Sequence, residues 1–206
     1  MTKKPQKIGV MGGTFDPIHY GHLVTAEAAR AEYNLDEVVF VPTGNPPHKA
    51  GRHITNAEIR LQMCILATVT NQGFAVSRIE IDRPGNSYAY DTVRLLHEQY
   101  GKGCQIYFIT GADAILEIAS WHKSQELLDY CTFIAATRPG FHLSEANQLP
   151  DDYLGRILFM EIPALAISST DIRQRVHDNR PIHYLLPEAV AHYIKKEKLY
   201  LPTEEG

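Results

Sequence analysis

The amino-acid sequence predicts an α/β fold: a doubly wound parallel sheet flanked by helices, with a small helical part at about residues 168–206, in one domain spanning 1–206. Three observations predict it. Short apolar runs rich in β-branched and aromatic residues alternate with segments of helical spacing. A chain of 206 residues has the length of one hydrophobic core, and it shows no internal repeat, low-complexity tract or linker. After the last apolar run, two helical segments broken by Pro181 and Pro187 close the chain.

The predicted strands, in order, are Ile8 to Met11, Val38 to Val41, Phe74 to Ile81, Gln105 to Thr110, Thr132 to Thr137 and Ile157 to Ile162. Each is a short apolar stretch of the kind that a sheet covered on both faces requires. The helices between them are read at His22 to Tyr33, Ala57 to Val69, Asp91 to Tyr100, Ala112 to Ile118 and near Gln125 to Leu128, from apolar residues recurring three and four apart. Thr55-Asn56-Ala57-Glu58 has the form of a capping box, with Thr55 as the cap and Glu58 reaching back. Ser168 to Asp178 and Pro187 to Lys196 are the closing helices. Such alternation is Rossmann-like, and ligands of such sheets bind beyond the carboxyl ends of the strands, where the strand order reverses. Residues that carry chemistry are therefore expected just after strands.

Composition narrows the function. Hydrophobic residues make up 44% and charged residues 21%, which suits a globular chain. Twenty Lys plus Arg against 24 Asp plus Glu give a formal charge of -4, unfavourable for a nucleic-acid polymer but compatible with small phosphorylated ligands. The three cysteines, Cys64, Cys104 and Cys131, are widely spaced and form no Cys-x-x-Cys pair, as expected in a reducing cytoplasm. The apolar run after MTKKPQK breaks at Gly12, and nowhere do 18 apolar residues run together, so neither a signal peptide nor a membrane span is expected.

Three motifs stand after strands. Gly12-Gly13-Thr14-Phe15-Asp16-Pro17-Ile18-His19-Tyr20-Gly21-His22 links the first strand to the first helix. Its glycines allow close approach to a ligand, and the helix start presents free N–H groups to an anion. His19 and His22, three apart, can donate to the same phosphates. Asn45-Pro46-Pro47-His48-Lys49 is a stiffened loop in which Lys49 offers a movable charge. Ile167-Ser168-Ser169-Thr170-Asp171-Ile172-Arg173 opens a helix; Ser168 or Ser169 can cap it, and Arg173 adds a forked cation one turn in. Two further features follow strands or lie near them. Gly111-Ala112-Asp113 offers Asp113 either to ribose hydroxyls or to the helix end, and Trp121, the lone tryptophan, either stacks on a substrate ring or packs in the core. Zinc is disfavoured, because no His-Glu-x-x-His spacing occurs and no third ligand stands nearby.

The eleven-residue stretch resembles the signature of nucleotidyltransferases with an HxGH turn. Taken with PPHK, SYAYDT at Ser87 to Thr92, GAD, the Trp121 region, TRPG at Thr137 to Gly140 and ISSTDIR, it is similar to the bacterial nicotinate-nucleotide adenylyltransferase family over nearly the whole chain. The resemblance implies transfer of AMP from ATP to nicotinate mononucleotide, giving deamido-NAD and pyrophosphate in NAD biosynthesis, with Mg2+ entering on ATP rather than on a protein metal site.

By the same resemblance, His19, His22, Lys49 and Arg173 are the catalytic group. Gly12, Gly13, Thr14, Phe15, Gly111, Asp113, Ile167, Ser168 and Ser169 join His19, His22 and Arg173 in binding ATP. Asp16, Lys49, Ser87, Tyr88, Ala89, Thr92, Trp121 and Arg138 are implied for the nicotinate nucleotide. The family pattern reads SYTxDT, and Ala89 here replaces a hydroxyl that would help hold the nicotinate carboxylate, leaving a backbone N–H for the task. Nicotinamide mononucleotide or phosphopantetheine adenylyl transfer, a cytidylyltransferase and, from another class, a non-catalytic nucleotide sensor are the alternatives.

Overall fold

Six strands, all paired in parallel, form one sheet in the order β3-β2-β1-β4-β5-β6. They are β1 (Lys7–Gly13), β2 (Glu37–Pro42), β3 (Phe74–Val76), β4 (Gln105–Gly111), β5 (Thr132–Thr137) and β6 (Ile157–Glu161). The helices are α1 (Tyr20–Glu32), α2 (Ala57–Thr68), α3 (Ala89–Tyr100), α4 (Ala112–Leu116), α5 (Ser124–Tyr130), α6 (Asp151–Leu154), α7 (Ser169–His177) and α8 (Glu188–Lys196), with a 3-10 turn at Ile118–Ser120. This computed structural model describes residues 6–46, 54–138, 140, 149–163 and 165–202. No helix among the described residues is long and apolar enough to cross a membrane.

Strand side chains alternate between two buried faces. Val10, Val39, Val41, Phe108 and Phe133 point to one core, closed by Val93 and Leu96 of α3, Ile115 of α4 and Leu127 of α5. Their neighbours Met11, Val38, Phe40, Ile109 and Ile134 point to the other, closed by Ala26 and Ala29 of α1, Met63 and Cys64 of α2, and Val190 and Ile194 of α8. Burial on both sides explains why the strand sequences read as apolar runs rather than as alternating ones.

Several boundaries differ from the sequence reading, each for a local reason. The expected strand Phe74 to Ile81 keeps only three residues, since β3 is an edge strand paired to β2 alone and the chain leaves the sheet at Ser77. The helix after Thr55 does begin at Ala57, but its cap is Asn56, whose side chain accepts from the Glu58 N–H at 2.8 Å. Thr55 is instead drawn away, its N–H donating to Asp16 Oδ2 at 3.2 Å, and Glu58 turns outward to Arg78. The short helix α6, a single turn, has no counterpart among the helices read from the sequence.

Sheet order reverses between β1 and β4, which lie side by side with Met11 opposite Ile109. The carboxyl ends of these strands, Gly12 and Gly111, thus open onto the crevice where ligands of such sheets bind.

Candidate active site

The chain leaving β1 turns sharply before α1. Phe15, at the bend, has φ +49° and is buried, a conformation unfavourable for a non-glycine residue and held here by its packing. Its ring lies against Gly13, where an added Cβ would come to 3.0 Å of the ring carbons, so a side chain at position 13 would displace it. The same ring meets His22 edge-on at 5.0 Å.

His19 is the extended residue that precedes α1, and its N–H donates to His22 Nδ1 at 3.2 Å. Because Nδ1 accepts, the neutral His22 ring carries its proton on Nε2. The two imidazoles stack with centroids 3.8 Å apart. Burial lowers the His19 pKa to about 4, and burial followed by the neighbouring His19 lowers that of His22 to about 3. At neutral pH both rings are therefore uncharged N–H donors. The first turn of α1 holds no acidic side chain, so its positive end is not neutralised from within the helix.

The late motif meets the early one. Ser168 caps α7, its Oγ accepting from the Asp171 N–H at 3.1 Å. Ser169 Oγ donates to the Pro17 carbonyl at 2.8 Å, and Arg173 Nη1 donates to the Asp16 carbonyl at 2.7 Å. A cavity of about 390 Å³ lies between the halves, lined by Gly12, His19 and His22 from one side, Ile167, Ser168 and Ser169 from the other, and Gly111 and Arg138 at the ends of β4 and β5. Arg173 does not line it; the guanidinium sits beside a smaller pocket of about 240 Å³ together with Asp16 and Tyr200.

Two residues absent from the sequence reading hold the turn. Arg60 of α2 is 1% exposed and donates to three backbone carbonyls: Thr14 at 2.7 Å, Thr43 at 2.6 Å and Thr55 at 2.8 Å. One guanidinium thus fastens the loops after β1 and β2 to the approach to α2. The signal was present in the sequence, since Arg60 stands at helical spacing with the buried Cys64 and Ala67, where an apolar residue is expected. Tyr200, far along the chain, donates its hydroxyl to Asp16 Oδ1 at 2.7 Å, and the anionic Asp16 adds to burial in raising the phenol pKa. The buried Asp16 carboxylate is therefore occupied by Tyr200 and Thr55.

The remaining candidates fall into separate settings. Ser87 Oγ accepts from the Gly44 and Asn45 N–H groups at 3.1 and 3.2 Å. Tyr88, preceding α3, packs its ring 4.4 Å from that of His122, and Ala89 is the first residue of α3. Thr92 is buried, its hydroxyl donating to Glu80 Oε1 at 2.6 Å. Trp121 is half-buried and stands edge-on to Phe108 and Phe133, each at 6.1 Å, so much of the indole serves packing. Asp113 is exposed in the first turn of α4. Lys49 lies outside the described residues.

Residues 10–175 match the family described as cytidylyltransferase-like, a span that contains both motif halves. Proteins of Moorella thermoacetica and Thermoanaerobacter sp., each named "Probable nicotinate-nucleotide adenylyltransferase", are 58% and 56% identical to this chain. Those alignments cover 100% and 97% of it and 97% of each relative. The chain belongs to the nicotinate-nucleotide adenylyltransferase family. Among solved structures, a Plasmodium falciparum nicotinic acid mononucleotide adenylyltransferase complexed with NaAD superposes with a TM-score of 0.77, covering 95% of this chain and 97% of that one at 22% identity. At that identity the likeness speaks for the fold alone, over nearly all of the chain.

Proposed function

We propose that the chain transfers AMP from ATP to nicotinate mononucleotide, forming deamido-NAD and releasing pyrophosphate in NAD biosynthesis. The carrying observation is the convergence of two helix N-termini, those of α1 and α7, on one cavity edged by a pair of neutral histidines. The relatives are named for adenylyl transfer to the nicotinate nucleotide.

The chemistry asks for little from the protein beyond placement and charge. A phosphate oxygen of the mononucleotide bonds to the α-phosphorus of ATP as the bond to the bridging β-phosphate oxygen breaks. The attacking phosphate is already anionic at neutral pH, so no protein base is required. His19 and His22 donate N–H groups to the departing pyrophosphate, with the free N–H groups of α1 behind them. Ser168 and Ser169 offer the α7 terminus from the opposite side, and Arg173 and Lys49 supply positive charge. Gly12, Gly13, Thr14 and Phe15 shape the turn, while Gly111 and Asp113 are assigned to the nucleoside. Ser87, Tyr88, Ala89, Thr92, Trp121, Arg138 and Asp16 are assigned to the mononucleotide side, Asp16 and Thr92 acting through the residues they hold.

Among the described residues no cluster of three His, Cys, Asp or Glu side chains is available to cage a metal. The donor set at the cavity, imidazoles, hydroxyls and a guanidinium without a carboxylate, suits a magnesium ion coordinated by the triphosphate itself. Such an ion, when bound, neutralises charge on the phosphate oxygens.

The test is pyrophosphate release from magnesium-ATP with nicotinate mononucleotide, nicotinamide mononucleotide or phosphopantetheine offered separately. Turnover with the nicotinate nucleotide is expected; no release with either pyridine nucleotide defeats the assignment. Ala89 favours a second reading in which the amide is also accepted, and comparable kcat/KM for the two pyridine nucleotides would establish it. His19→Ala should lower kcat far more than ATP affinity, and equal losses would remove the histidine from the transition state.

A further inference from the structure

Glu80 lies outside every motif discussed so far and is 7% exposed. Its Oε1 accepts from the Thr92 hydroxyl at 2.6 Å; burial pushes its pKa up, against the opposing pull of the Thr92 and Ser87 hydroxyls, the Arg83 charge and the Gly44 N–H. No Lys or Arg among the described residues forms an ion pair with it; the nearby Arg83 pairs with Asp91 at 3.0 Å and donates to the Asn86 carbonyl. A buried carboxyl group without a direct ion pair is costly, and an apolar side chain of similar size would fill the space more cheaply. Its partners suggest what it is kept for.

Ser87 Oγ receives the Gly44 and Asn45 N–H groups, and the Ser87 N–H returns a bond to the Asn45 carbonyl at 2.9 Å. Gly44 is pressed so closely that a Cβ there would come to 2.2 Å of the Glu80 carbonyl oxygen. Glu80 thus holds the start of α3 through Thr92 while its own backbone packs against Gly44 in the loop after β2, the loop that Ser87 also fastens. None of Glu80, Ser87, Thr92 or Gly44 lines the cavity between the histidines and α7.

We propose that Glu80 is a positioning residue that locks the 43–46 loop onto the Ser87–Thr92 segment and so sets the mononucleotide side of the site without touching the ATP side. The assignment of sides rests on the adenylyl-transfer reading above; the lock itself does not.

The experiment compares full-length wild type, Glu80→Ala and Glu80→Gln, the last keeping an acceptor for Thr92. Amide exchange at Gly44 and Asn45 should accelerate about tenfold or more in Glu80→Ala and stay near wild type in Glu80→Gln. The KM for nicotinate mononucleotide should rise about tenfold in Glu80→Ala while the KM for ATP stays within about twofold, and Glu80→Gln should restore the first. Parallel rises in both KM values, or unchanged exchange at Gly44 and Asn45, would overturn the proposal. If Glu80→Ala does not fold, Thr92→Val, which removes only the donating hydroxyl, must give the same exchange and KM pattern. A wild type inert with nicotinate mononucleotide would sink the functional reading alone, because the exchange measurement decides the lock independently.

Discussion

Gly21→Ala separates geometry from stability at the histidine pair. The glycine occupies the first turn of α1 in a conformation any residue adopts there, so alanine should favour the helix by up to about 1 kcal/mol. The added Cβ, however, would lie 3.0 Å from both Cε1 and Nδ1 of His19. That contact forces a shift of a few tenths of an ångström. The His19 ring has little room to take it up, being 6% exposed and stacked 3.8 Å from His22. A misplacement of about 1 Å in a catalytic group costs on the order of a hundredfold in rate, so a shift of this size is expected to cost about tenfold in kcat. Thermal unfolding of the variant should show a Tm equal to or above that of wild type, while pyrophosphate release slows. Unchanged kcat alongside an unchanged Tm would refute the reasoning, since the ring would then have moved without consequence.

Other perturbations test the supports of the same turn. Arg60→Met relieves the burial of a cation but strands three carbonyls, so urea unfolding should show a loss of roughly 3 kcal/mol or more; a loss under about 1 kcal/mol would mean that water replaces the guanidinium. Tyr200→Phe removes one hydrogen bond to a buried carboxylate and should cost about 1.5–3 kcal/mol by the same measurement, with a fall in kcat that a purely peripheral residue would not produce. Lowering the pH should destabilise the fold. The unfolded chain takes up protons on His19 and His22 below about pH 6.5, whereas the folded chain keeps them neutral to about pH 4 and 3, so stability falls across that window. For the buried His19 the loss is on the order of 3 kcal/mol. Assigned His19 or His22 imidazole resonances that titrate near pH 6.5 in the folded protein would contradict this.

The repeating order of strand and helix was legible because the central strands β1, β2, β4 and β5 carry buried apolar residues on both faces and the helices bury one, so periodicity records burial directly. The α7 cap could be narrowed to Ser168 or Ser169 from type and place alone, and the fold gives the role to Ser168. The Thr55 cap could not be excluded in the same way, because Asn56 is an equally good cap and the competing partner, Asp16, is 39 residues away in sequence. Arg60 and Glu80 escaped for a related reason. Their roles come from contacts with loops that no local pattern announces, and a single charged residue on a helix or near a strand normally reads as a solvated one. The partition of the candidate site was likewise invisible: spacing groups Ser169 with Arg173, but the first borders the large cavity and the second the smaller pocket behind the turn.

The bond from Tyr200 to Asp16 spans almost the whole polypeptide, and Ser169 and Arg173 bind the adjacent carbonyls from nearly as far away. Contacts of such separation carry a large loop-closure cost and cannot form before the distant segment is present. During synthesis the turn after β1 therefore lacks these bonds until residue 200 has emerged, and a product that stops short of it should lose activity even if its sheet has assembled.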